Sequence, residues 1–376
     1  MANSNLGSAR KAKADEFYTQ WADIEREMNA YIEFDPDVFR GKTVLLPCDD
    51  PEWSNFSKFF ALHFTEFGLK KLISTSYAPA SNADGAFYTP TLFDDPKFDE
   101  SKDRTHGKIF TLVPEDVNGD GKVDIDDLRW RYLDGDGDFR SDEVTALRDE
   151  ADMVITNPPF SLLRPFIGWL MEGDVQFSII ASKNATTYSE VFHLIRDNRM
   201  WIGRGFAKGD AYFRVPALVR DSYAAGVYDP ETQLVHFRNT TWLTNIEHGR
   251  RHEPMKLMTA SENAKYSKHK NVRGVGYRTY DNFDAIEVPW VDAIPSDHDG
   301  LMGVPITYLD RHNPDQFEIV GSFNGGAAGE ELGATYAEME TKGKVAMWNG
   351  PIVDRTPLYK RIIIRYRNPA TTSKEA

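Results

Sequence analysis

The chain reads as an α/β protein with a largely parallel sheet, followed by a second, β-rich domain. Three observations lead there. Short apolar runs alternate with helical patterns through residue 248, the runs end in polar or proline-containing turns, and beyond residue 248 basic residues, glycines and short β-like runs replace the alternation.

Taken in order, residues 11–33 predict an amphipathic helix, with Phe17, Trp21, Ile24, Met28 and Ile32 at helical spacing. Residues 43–47 predict the first buried strand. Residues 54–67 predict a helix whose Phe56, Phe59, Phe60, Phe64 and Phe67 share a face, stopped by Gly68. Residues 71–75 predict a second strand, and 78–150 an acidic insertion rich in turn formers. Further strands of the same sheet are expected at 153–156, 177–181, 200–203 and 234–237. Domain one is expected over 1–248 and domain two over 249–376, with strands near 286–290, 316–320 and 361–365 and a frayed tail from Asn368.

The most informative feature is Asn157-Pro158-Pro159-Phe160. It follows the apolar run 153–156 and precedes a helical pattern, which places Asn157 at the carboxyl end of a strand, where open α/β sheets bind ligands. Two prolines stiffen the turn and remove backbone donors, leaving carbonyls to accept. An Asn oxygen and a proline carbonyl suit an amino group, and the neighbouring Phe160 ring suits a flat base. Taken alone, the same residues also fit a plain strand-to-helix turn.

Charge is unevenly placed. The net charge is −14, yet residues 81–150 hold 19 acidic and 9 basic residues, whereas 249–280 hold 8 basic and 2 acidic. Local charge sets the footprint for a polyanion, so Arg250, Arg251, Lys256, Lys265, Lys268, Lys270, Arg273 and Arg278 are candidate contacts to a polyanion's phosphates; a solvated basic loop is the plainer alternative. A single cysteine excludes an intramolecular disulfide framework and a cysteine-rich zinc site. No apolar run approaches the ~20 residues of a membrane span, and residues 1–13 lack an apolar signal core, so a cytoplasmic protein is expected.

Three further segments carry chemistry. Pro47-Cys48-Asp49-Asp50-Pro51 joins the first strand to a helix, an arrangement suited to a zwitterion: the helix end welcomes a carboxylate and an Asp pairs with an ammonium. A charged capping loop fits as well. Asp138-Phe139 offers an acceptor and a ring to an adenine, or is simply an acidic turn. Phe17-Tyr18-Thr19 supplies a hydroxyl to a carboxylate, or is a helix segment with Phe17 in the core.

In this order, these segments resemble the EcoRI-type adenine-specific DNA methyltransferases. The likeness rests on Asp15-Glu16-Phe17-Tyr18-Thr19, on Cys48-Asp49-Asp50-Pro51 with Ser54-Asn55-Phe56, and on Gly135-Asp136-Gly137-Asp138-Phe139-Arg140-Ser141. It continues through Asn157-Pro158-Pro159-Phe160-Ser161, Ser182-Lys183-Asn184-Ala185-Thr186-Thr187-Tyr188 and Met302-Gly303-Val304-Pro305-Ile306-Thr307-Tyr308-Leu309.

The resemblance implies a Rossmann-like class I methyltransferase domain using S-adenosylmethionine, and a C-terminal target-recognition domain that reads double-stranded DNA. It matches Phe17, Tyr18, Thr19, Cys48, Asp49, Asp50, Asp138 and Phe139 to cofactor positions, and Asn157, Pro158, Pro159 and Phe160 to the catalytic motif. Ser182 to Asn184 would shape the target pocket. The implied reaction moves a methyl group to N6 of a flipped adenine. A cognate restriction endonuclease without a stable complex, and a monomer, complete the expectation. Two departures stand out: the first strand lacks a glycine-rich signature, and the second ends in Ser74-Thr75-Ser76-Tyr77 without an acidic residue for the ribose.

RNA and protein-glutamine methyltransferases share this chemistry and form the alternative substrate classes. Cys48 after a proline also fits a cytosine-C5 nucleophile, but Asn-Pro-Pro-Phe has no role in that mechanism. Separately, residues 116–127 fit an EF-hand-type calcium loop, with Asp116, Asn118, Asp120, Asp124 and Asp127 as oxygen ligands and Gly121 at the sixth position. Structural Ca2+ is expected there, and a calcium-dependent interaction module is the competing reading from outside enzymology.

Overall fold

The computed structural model describes residues 18–49, 54–78, 98–103, 105–206, 210–215 and 226–367. Phe17, Asp50 and Pro51, with Asp15 and Glu16, lie outside the described residues. The chain forms two compact units. One takes the residues up to Val191 with Met200–His248, the other Phe192–Arg199 with the residues from Gly249 onward.

The first unit holds twelve strands among its described residues: β1 Tyr18–Thr19, β2 Thr43–Leu46, β3 Lys71–Thr75, β4 Lys108–Leu112, β5 Arg129–Tyr132, β6 Met153–Thr156, β7 Gln176–Ser182, β8 Trp201–Ile202, β9 Ala211–Arg214, β10 Tyr228–Asp229, β11 Leu234–Phe237 and β12 Thr240–Thr244. Eight of them make one sheet in the order β5-β4-β3-β2-β6-β7-β12-β8. The centre, β3-β2-β6-β7, is parallel. β4, β5 and β12 join antiparallel. The chain leaves β2 for β3 on one side and returns to β6 on the other, so the topological switch point lies between β2 and β6.

Burial explains the central strands. All four residues of β2 and of β6 are buried, as expected of strands covered on both faces. The helix Trp21–Phe34 lays Ile24, Met28 and Tyr31 into a core shared with Phe56, Phe59 and Phe60 of the helix Asn55–Leu62. Ser54 caps that second helix by accepting from Phe56 N–H, and Gly68 ends the following turn of helix with φ 63°, a left-handed conformation that suits glycine. The buried Glu27 carboxylate accepts from the N–H groups of Arg204 and Gly205 at 3.0 Å, pinning the turn after β8.

Three expectations change here. Tyr18–Thr19 is not helical: it pairs with Phe213 and Arg214, and the helix starts only at Trp21. β11 does not join the main sheet but a four-stranded one, in the order β1-β9-β11-β10; the main sheet takes β12 instead. The described part of the expected 78–150 insertion is not largely irregular, since β4 and β5 extend the main sheet and Asp142–Glu150 is a helix capped by Ser141.

The second unit holds β13 Arg278–Thr279, β14 Ile286–Glu287, β15 Leu301–Pro305, β16 Phe317–Phe323, β17 Ala337–Thr341, β18 Lys344–Trp348, β19 Ile352–Val353, β20 Thr356–Pro357 and β21 Arg361–Tyr366. Five form a sheet in the order β13-β14-β15-β21-β16, and the rest form two hairpins. Arg361 pairs with Glu287 at 2.7 Å inside this unit, and Tyr280 donates to the same carboxylate. Among the described residues, no helix is long and apolar enough to cross a membrane.

Candidate active site

Two strand ends flank the switch point. β2 runs into Pro47-Cys48-Asp49, and β6 into Asn157-Pro158-Pro159. A side-chain bond joins them: Thr156, the residue before Asn157, donates its hydroxyl to Asp49 Oδ2 at 2.5 Å. Ser54 donates to Asp49 Oδ1 at 2.6 Å. The Asp49 carboxylate is 5% exposed, so these hydroxyls hold a charge that burial would otherwise disfavour. The Asp49 backbone is fixed as well. Its N–H donates to Thr75 O at 3.1 Å, and Ser57 donates to its carbonyl at 3.0 Å.

Thr19 borders this place. Asn55, in the first turn of the helix after β2, donates its amide to Thr19 O at 2.7 Å. Thr19 is 2% exposed, and its Oγ1 has no hydrogen-bond partner among the described residues. A buried hydroxyl without a partner is costly, so it points to a polar ligand.

Cys48 is half-buried. Burial pushes its thiol up, the Asp49 carboxylate adds to the effect, and Asp138 contributes further. The thiol therefore stays protonated at neutral pH, the opposite of what a nucleophilic cysteine needs. We expect Cys48→Ala to keep methyl transfer at saturating cofactor, and iodoacetamide to label the wild-type protein slowly at pH 8; loss of turnover in the variant would restore the nucleophile reading.

Asp138 lies near Cys48, with its carboxylate clamped by Arg140, whose Nε donates at 2.9 Å. The Arg140 guanidinium holds the Asp138 carboxyl below the usual carboxylate range. Tyr77, just past β3, shares these surroundings: burial raises its phenol, and the carboxylates of Asp136 and Asp138 add to the shift. Gly137 permits this approach, since a Cβ there would stand 2.2 Å from Ser76 O.

Phe139, next in sequence to Asp138, is buried. It is 4% exposed, with its ring edge-on to Phe166 at 4.9 Å and to Trp169 at 5.6 Å. The ring is part of the core of this unit.

In the Asn-Pro-Pro-Phe segment, Pro158 is buried, while Asn157, Pro159 and Phe160 are half-buried. The Pro159 carbonyl accepts from Leu162 N–H at 3.0 Å, which closes a 3-10 turn over Phe160–Leu162. Phe160 packs against the core of the unit. Past β7, Ser182 caps another 3-10 turn, Lys183–Thr187, with Lys183 half-buried and Asn184 exposed. Arg164 lies 4.1 Å over the Tyr188 ring and 3.2 Å from Glu190, tying that segment to the helix after the motif.

The side-chain oxygens of the 116–127 loop accept from backbone N–H groups. Asp116 accepts from the N–H groups of Gly119 and Gly121, Asn118 from Asp120, Asp120 from Lys122, and Asp124 from Asp126. Asp127 accepts from Val117, Asn118 and Asp124 N–H, bonds that hold its carboxyl below the usual range. Among the described residues, no group of three or more His, Cys, Asp or Glu is placed to hold a metal ion. The residues present thus do not fit the expected Ca2+; their oxygens stabilise the turn itself.

In the second unit the candidate DNA contacts divide. Lys256, Lys265, Lys270 and Arg273 are exposed, and Arg250 is half-buried. Lys268 pairs with Asp292 at 2.6 Å and Arg278 with Asp354 at 2.9 Å, both at the surface. Arg251 differs from the others: it is 6% exposed and donates to Asn198 Oδ1. It lies near His312, which burial holds at about 4, with the charges of Arg251 and Arg367 adding to that shift. Its guanidinium belongs to the interior.

Sequence reasoning assigned no role of their own to Thr156, Ser54, Arg140 and Tyr77, although the last three stand in segments it singled out. A faint signal existed for Thr156, the one polar residue in Met153-Val154-Ile155-Thr156 and directly before the motif.

Comparisons with known proteins identify the family. The family described as "Adenine-specific methyltransferase EcoRI" matches residues 5–367. The chain is 39% identical over 320 residues to the Type II methyltransferase M.EcoRI of Escherichia coli, covering 85% of this chain and 89% of that protein. It is 31% identical over 370 residues to the Type II methyltransferase M.MpnI of Mycoplasma pneumoniae, covering 96% and 97%, and 30% identical over 372 residues to M.MgeORF184P of Mycoplasma genitalium, covering 96% and 98%. No solved structure gives a significant match. The chain belongs to the EcoRI family of adenine-specific methyltransferases.

Proposed function

We propose that the protein is a site-specific DNA methyltransferase that moves a methyl group from S-adenosylmethionine to N6 of an adenine flipped out of duplex DNA. One observation carries the reading: the Thr156–Asp49 bond, which sets the carboxylate expected to bind cofactor directly beside the residue that opens the catalytic motif. The strand order supports a Rossmann-like class I methyltransferase domain, with its ligand crevice at the β2/β6 switch point.

The residues fit the cofactor. The partnerless Thr19 hydroxyl and the start of the helix Asn55–Leu62 suit its carboxylate, and Asp49 suits its ammonium. Cys48 and Asp138 would line the way to the nucleoside. When bound, the cofactor supplies an electrophilic methyl group on a sulfonium. Asn157 Oδ1 and the Pro158 carbonyl would accept from the two N6 protons, favouring a more tetrahedral nitrogen whose lone pair is no longer spread into the ring. Phe160 would hold the base by stacking. The protein's work is positioning and electrostatics, with no covalent enzyme intermediate.

The second unit would act as the target-recognition domain, with Arg250, Lys265, Lys268, Lys270 and Arg273 on phosphates or base edges. The relatives' Type II names support a restriction-modification setting: the enzyme would act as a monomer on the site cut by a cognate endonuclease, without a stable complex between them. The Thr19 assignment has its own test. Thr19→Val should raise the KM for S-adenosylmethionine about 2- to 12-fold, the worth of one hydrogen bond, while Thr19→Ser restores it. An unchanged KM in the valine variant would remove Thr19 from the cofactor site.

A further inference from the structure

The second unit carries an aromatic ring that none of the chemistry above employs. Trp290 is 46% exposed and sits at the start of a 3-10 turn, Val291–Ala293. One face of its indole lies on the His269 imidazole, with ring centres 4.4 Å apart and planes 5° from parallel. Its Nε1–H donates to Asn271 Oδ1 at 3.0 Å. His269 is held in turn by Asp292 Oδ1 at 2.8 Å, and the other oxygen of Asp292 pairs with Lys268 at 2.6 Å. One face and one edge are thereby fixed, and the exposure belongs to what remains. A large apolar ring held rigidly toward water is a binding feature more than a packing one, because free rotation would let it fold down.

The surroundings name the ligand class. Lys265, Lys268, Lys270 and Arg273 are all exposed in the segment that supplies His269 and Asn271. The one carboxylate in the stack, Asp292, is already neutralised by Lys268. A flat apolar plate held by a basic segment complements a flat base carried on a polyanion. An intact duplex offers such a base face only where stacking is broken.

We propose that Trp290 is a stacking platform for a DNA base that has lost its neighbour in the helix, with Lys270 and Arg273 holding the adjoining phosphates. The proposal rests on DNA being the substrate. Binding of the full-length protein to a labelled single-stranded oligothymidylate and to a mixed-sequence duplex, followed by anisotropy and tryptophan fluorescence, tests it. Wild type should bind the oligothymidylate with quenching. Trp290→Ala should lose that quench and about 5- to 150-fold in affinity, the range found for one base-aromatic stack. Trp290→Phe should keep most of the affinity, which separates stacking from misfolding. An alanine variant that binds oligothymidylate with wild-type affinity and wild-type quenching would overturn the platform and leave Trp290 as a brace for its turn. Wild-type protein that binds neither DNA would overturn the DNA reading and the platform with it.

Discussion

Asn157→Ala is expected to bind S-adenosylmethionine with nearly wild-type affinity and to transfer its methyl group at least about 100- to 1,000-fold more slowly, the loss seen when one preorganised polar group at a reacting centre is removed. The reason is positional. Asn157 stands at the carboxyl end of β6, one residue beyond the Thr156 hydroxyl that holds Asp49, so its backbone is set by the sheet and only its side chain is changed. Cofactor binding by equilibrium dialysis and single-turnover transfer to DNA separate the two effects. A variant with near-normal single-turnover rate would remove Asn157 from the chemistry.

Asp49→Ala should show the reverse pattern. Its carboxylate is buried, and it takes hydroxyl bonds from Ser54 and Thr156. Losing the proposed contact to the cofactor ammonium should raise the cofactor Kd about 10- to 150-fold, as expected for a hydrogen bond to a charged group. The two hydroxyls left behind should also cost about 1–3 kcal/mol of stability, read from urea unfolding. Transfer measured at saturating cofactor should recover much more than in Asn157→Ala. An unchanged Kd for S-adenosylmethionine would show that Asp49 only braces the strand ends.

Much of this arrangement is legible in the sequence. Residues 43–47, 71–75 and 153–156 read as strands because short apolar runs stand between turn formers, and each forms a central strand, β2, β3 and β6. Gly68 reads as a helix stop because only a left-handed residue ends the helix that way, and it takes that conformation. β12 escapes notice because Thr240-Thr241-Trp242-Leu243-Thr244 is mostly polar in composition although every residue is buried. A short, largely apolar run marks β11 as a strand, but pairing across the fold decides which sheet it joins.

The candidate site is legible at Asn157 and Asp49 as far as position goes: the fold sets both at neighbouring strand ends. It is not legible where surroundings decide a role. Phe139 and Arg251 have the right chemistry for a stack and a phosphate contact, yet one fills the core and the other bonds inside the second unit. The 116–127 loop has liganding residues at the expected spacing, but among the described residues no three or more His, Cys, Asp or Glu are placed to hold an ion. Thr156 gains its meaning only when parallel pairing brings β6 against β2.

The most direct measurement is transfer of labelled methyl from S-adenosylmethionine to unmethylated duplex DNA, with the product digested to nucleosides. The account predicts label in N6-methyladenine, absent from the Asn157→Ala reaction. Label in a methylated cytosine, or unlabelled DNA from a protein that demonstrably binds the cofactor, would contradict it.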